Sequence, residues 1–66
     1  MTAPDDLIPG KRYAFTYRTH TGRIFCQRGE FLRISIEVGV LWLWWRFDYG
    51  DVPFDYGYLD CQPIDE

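Results

Sequence analysis

A chain of 66 residues, 47% hydrophobic and 20% aromatic, supports one domain and no more. So small a domain buries only about 60% of its unfolded surface, and its stability therefore rests on a dense core, which rings that each remove roughly 150–250 Å² from water can supply. The aromatic content excludes a disordered chain, and the longest apolar run, residues 40–45, is far short of the roughly 20 residues of a membrane span.

The net charge of −3 conceals an uneven distribution: all seven bases lie between Lys11 and Arg46, accompanied there only by Glu30 and Glu37. Residues 47–66 hold six carboxylates and no base. Opposite charges on paired strands would cancel, whereas segregation would leave a basic patch for an anionic partner.

Glycines at 10, 22, 29, 39, 50 and 57 cut the chain into short pieces rich in Tyr, Phe, Trp, Ile and Val, which read as strands. The N-terminal residues 1–10 carry Asp5 and Asp6 and no apolar run, so they are expected to form an arm with no targeting role. A turn at Ile8-Pro9-Gly10-Lys11 leads into a first strand over residues 12–19, where Tyr13, Phe15 and Tyr17 alternate with polar positions and define a core face. His20-Thr21-Gly22 closes a hairpin.

The second strand, residues 23–37, is long enough to need a bend, and Gly29 marks a bulge or sharp turn in it. Beyond Gly29, Leu32, Ile34 and Ile36 share one face and are expected in the core, with Phe31, Arg33, Ser35 and Glu37 opposite. The third strand, residues 40–47, is apolar on both faces. Leu41, Leu43, Trp45 and Phe47 line one, and Val40, Trp42, Trp44 and Arg46 the other. The alternation does not say which face is inside, but either choice leaves large side chains that need a cover. After Asp48-Tyr49-Gly50-Asp51, Pro53 confines a fourth strand over residues 52–55 to a sheet edge or a break. A fifth follows over residues 58–64, ending in an acidic tail at residues 65–66.

This order predicts an all-β domain spanning residues 1–66, a small five-stranded, strongly bent antiparallel barrel. Thr21-Gly22-Arg23 at the start of the long strand, Gly29-Glu30-Phe31-Leu32 at its bend and Asp48-Tyr49-Gly50-Asp51-Val52 late in the chain resemble the SH3-like and Sm-like small barrels. The resemblance implies a fold and a tendency to oligomerise or to bind ligands on loops. It carries over no RNA pocket, because the matching residues are absent.

The residues offer little for catalysis or metal binding. There is one histidine, His20, one serine, Ser35, and no phosphate-binding glycine loop. Cys26 and Cys61 lack the paired spacing of a zinc site and are expected as free thiols. A non-enzymatic, cytoplasmic protein without metal or cofactor is therefore expected.

Two binding readings remain. In the first, Trp42, Trp44 and Arg46, extended by Phe31 and Tyr49, contact a protein partner or a second copy, since Trp and Arg dominate interface hot spots. In the second, Arg12, Arg18, Arg23 and Arg33 bind single-stranded RNA or DNA, with interleaved rings available for stacking. A further alternative, resting on size and the run of aspartates, is a phage-type inhibitor that mimics nucleic acid.

Overall fold

The computed structural model describes residues 2–64; the acidic tail lies outside the described residues. Its strands are β1 (Arg12–Arg18), β2 (Ile24–Glu37), β3 (Val40–Phe47), β4 (Gly50–Asp55) and β5 (Asp60–Pro63), preceded by one 3₁₀ turn at Pro4–Asp6. All neighbours are antiparallel, and the sheet order is β4-β3-β2-β1-β5. The domain is all-β, as expected, with β3 in the predicted bounds and β4 on an edge.

Hydrogen bonds do not close the sheet into a barrel, since no ladder joins β4 to β5. Pro53 and Pro63 remove backbone donors from these two edge strands. Side chains link β1 to β4 across the sheet: Phe15 of β1 meets Phe54 of β4 at 5.7 Å between ring centroids, and the Tyr17 hydroxyl donates to the Asp55 carbonyl. On the far side of β5, Thr2 N–H donates to Cys61 O at 2.7 Å, and Leu7 from the N-terminal segment enters the core.

The core is built on rings. Tyr13, Phe15 and Tyr17 of β1 point inward, as their alternation predicts, and join Phe31, Leu43, Trp45, Phe47, Tyr58 and Cys61. Trp45 is the centre of this cluster. It stacks on Phe15 at 4.3 Å and meets Phe31 and Tyr13 edge-on at 5.4 and 6.0 Å.

The long strand corrects two expectations. Its register slips between Phe31 and Arg33, so the bulge is at Leu32 rather than at Gly29. The extra residue puts Phe31 on the core face opposite Trp45. Leu32, Ile34 and Ile36 do not form a buried set: Leu32 is half-buried, and Ile34 and Ile36 are 39% and 72% exposed. Ile34 and Ile36 do face the same side as Leu43 and Leu41, but the β2–β3 hairpin runs past the end of β1 there and leaves them exposed. Gly29 has a different task. Its missing Cβ lets the Phe47 ring lie against the β2 backbone. The hairpin turns on Val38 and Gly39 with φ of 50° and 73°, and a β-branched residue at positive φ is strained.

Candidate binding face

Antiparallel pairing settles the orientation of β3. Leu43 pairs with Phe54 and Ile34, and Trp45 with Val52 and Phe31, all on the concave side. Trp42 and Trp44 therefore project from the convex side, Trp42 between Ser35 and Asp55 and Trp44 between Arg33 and Pro53. Both are half-buried and neither belongs to the core.

Trp44 is held in place. Its indole N–H donates to Ser35 Oγ at 2.9 Å, and the Arg33 guanidinium lies 4.5 Å from its ring centroid, a favourable cation–π distance. With the flat ring fixed from two sides, little rotamer entropy is left to lose when a partner covers it. Val40, 39% exposed, extends the apolar strip towards the hairpin tip.

At the other end of the strip, charges alternate across four strands in the row Asp51, Arg46, Glu30 and Arg12. Arg46 sits 3.7 Å from Glu30 and 3.6 Å from Asp51. These pairs realise, at this row, the cross-strand cancellation of basic and acidic segments, although exposed pairs of this kind add little stability.

The expected site residues are thus divided. Trp42, Trp44 and Arg46 share one face. Phe31 does not belong with them, because the bulge turns it into the core at 2% exposure. Tyr49, 70% exposed, lies past the end of β3 and stacks on Phe47 at 5.2 Å. Together with Arg12, Arg28, Glu30, Arg46 and Asp48 it lines a shallow depression of ≈ 380 Å³ where β2 diverges from the β3–β4 turn. Arg28 belongs to the basic stretch over residues 11–33 but was not singled out as a binding residue, and the fold places it beside Arg12 and Tyr49.

The four arginines of the nucleic-acid reading are all exposed but scattered. Arg12 and Arg18 occupy opposite ends of β1, Arg23 precedes β2, and Arg33 stacks on Trp44. Tyr13, Phe15 and Tyr17 are buried and cannot stack on bases.

Groups with displaced ionisation lie in the core, where they serve structure. Burial, reinforced by Asp60, pushes the Cys61 thiol up from 9.0 to about 11. Burial, with Cys61, Asp6 and Tyr13 adding to it, pushes Tyr58 up from 10.0 to about 12, and Tyr17 is raised by burial and by Asp55. The Tyr58 hydroxyl donates to the Thr2 carbonyl. Each group favours its neutral form in the fold, so the unfolded chain ionises first. The contribution of these three groups to stability is expected to be fully present below about pH 8 and to fall as pH rises through about 9 to 12. Urea denaturation from pH 8 to 11.5 checks this, and a midpoint that does not move would contradict it.

Cys26 and Cys61 are free thiols, the first exposed and the second buried. No helix is long and apolar enough to cross a membrane, and among the described residues no three His, Cys, Asp or Glu side chains gather as a metal set. No family model, curated protein or solved structure matches this chain.

Proposed function

We propose that this domain is a non-catalytic, cytoplasmic binding module, built on the plan of the SH3-like and Sm-like small barrels, that docks a protein partner on the Trp42–Trp44 strip. One observation carries the reading: two adjacent indoles stand on the convex face outside the core, one of them fixed by Ser35 and Arg33. Trp and Arg at the centre of a patch are the residue types that dominate binding energy. Arg33 and Arg46 flank the strip, and Pro53 continues its apolar surface onto β4.

The test is photo-crosslinking in the producing cells from a reactive residue placed at Val40, beside the strip. The Trp42→Gln/Trp44→Gln double variant, made on the same background, is expected to keep the near-ultraviolet circular dichroism of the fold and to lose the crosslinked partner. Unchanged crosslinks would overturn the reading. Unfolding of the double variant would overturn it as well, by showing that the rings hold the domain together.

A second reading, single-stranded nucleic-acid binding, has its own support: among the described residues Arg18, Arg23 and Arg33 are exposed with no ion pair to a carboxylate. It requires affinity for a mixed-sequence oligonucleotide that falls steeply with salt. Titration at low and high salt separates it from the protein-binding reading.

A further inference from the structure

The second half of β2 has an unused edge. The β1 ladder on β2 ends at the Arg12–Glu30 pair, and the chain before β1 reaches only as far as Phe31, through Gly10 N–H to Phe31 O at 2.8 Å and Phe31 N–H to Lys11 O at 2.9 Å. Residues 33–37 pair with β3 on one side, and among the described residues no backbone bond reaches them from the other.

The hairpin turn dictates which groups line that edge. The two-residue turn Val38-Gly39 closes on the Glu37–Val40 pair, which in such a hairpin exchanges both of its backbone bonds. Bonded and non-bonded pairs then alternate along the ladder. Glu37, Ser35 and Arg33 turn their backbone groups towards β3, and Ile34 and Ile36 turn theirs to the open side. An exposed edge with alternating apolar side chains invites another strand.

We propose that this edge pairs with the same edge of a second copy, antiparallel and centred on Ser35, to give a two-fold symmetric dimer. The stretch Arg33-Ile34-Ser35-Ile36-Glu37 is self-complementary about its middle residue. In that register Ile34 faces Ile36 of the second copy as a bonded pair, and the two symmetric pairs form four backbone hydrogen bonds. On the convex side Arg33 meets Glu37 of the second copy, twice. Ile34 and Ile36, left uncovered in the monomer, pack against their counterparts. Moving the centre by one residue in either direction separates both charge pairs, so the charges select this register. This is an isologous interface, closed after two copies. It leaves Trp42 and Trp44 uncovered and shares only Arg33 with their strip.

Sedimentation equilibrium of the full chain over micromolar to millimolar concentration provides the test. A monomer–dimer equilibrium is expected. Glu37→Arg, which places two like charges opposite each other at both ends of the interface, should weaken the dimer by at least about tenfold, and Arg33→Glu should do the same. The Arg33→Glu/Glu37→Arg double variant should return to within about threefold of the parent. Both Arg33→Glu proteins lose the Trp44 contact, so rescue by the second change would come from the charge pairing alone.

Ile36→Pro removes an N–H that faces outward and leaves the β3 ladder intact; it should give a folded monomer. A chain that stays monomeric throughout would overturn the proposal. So would charge variants that associate like the parent, failure of the double variant to recover, or association that survives Ile36→Pro but is lost in Trp42→Gln/Trp44→Gln. The last result would place the contact on the Trp strip.

Discussion

Trp45→Ala is expected to unfold the domain, while Trp42→Gln and Trp44→Gln leave it folded, although the three indoles lie within four consecutive residues. Trp45 is fully buried and touches rings from β1 and β2. Removing such a ring costs about 3–5 kcal/mol in lost transfer energy and residual cavity. A domain of this length has a total stability of roughly 3–10 kcal/mol, so the loss consumes most or all of it. The indole N–H of Trp45 is buried without an acceptor among the described residues, which lowers the stability of the parent and leaves less to spare. Trp42 and Trp44 stand on the convex face, and replacing them removes the Ser35 bond and the Arg33 stacking, each worth about 1 kcal/mol. Thermal unfolding of the three single variants decides the matter. A folded Trp45→Ala protein, or loss of the fold in Trp44→Gln, would contradict the assignment of faces.

Gly29→Ala is expected to destabilise the domain by about 1–3 kcal/mol, against the usual trend. Alanine in a strand interior is normally preferred to glycine by roughly 0.5–1 kcal/mol. Here a Cβ would sit 2.8 Å from Phe47 Cε1 and 3.2 Å from the Arg46 carbonyl oxygen. The backbone atom cannot give way without breaking the β2–β3 ladder beside the Glu30–Arg46 pair. The Phe47 ring is confined by Phe15, Phe54 and Tyr49. Phe47→Leu removes the closest atom, so the double variant should be more stable than the sum of the two single changes predicts. Urea denaturation of the four proteins measures the coupling, and strict additivity would show that Gly29 is small for some other reason.

Much of the fold was legible because short-range chemistry decided it. Period-two alternation in β1 identified Tyr13, Phe15 and Tyr17 as core. Gly39 marked the turn that precedes β3, and Pro53 pointed to an edge or a break for β4, which the sheet order places on an edge. Gly29 misled, because a glycine within a strand signals a bulge and a close approach equally well, and only the position of Phe47 distinguishes them. The true bulge at Leu32 carries no turn residue, yet that one inserted residue brought Phe31 onto the core face, while Ile34 and Ile36 stay exposed because β1 ends before it reaches them.

The candidate sites divide along the same line. That β3 was apolar on both faces was evident from its residues alone, since alternation in a strand is a local property. Which face turned inward was a tertiary decision, made by the partners across the sheet: Phe31 and Val52 opposite Trp45, and Ser35 and Asp55 opposite Trp42. The depression around Arg12, Arg28 and Tyr49 and the bare edge of β2 also arise only in three dimensions, from where neighbouring strands end. Composition and periodicity determined that this chain folds as a small aromatic-rich β domain. The tertiary structure decided which rings became core and which edge remained open, because cross-strand partners set the inward face of β3, the bulge at Leu32 turned Phe31 inward, and the end of β1 left residues 33–37 of β2 bare.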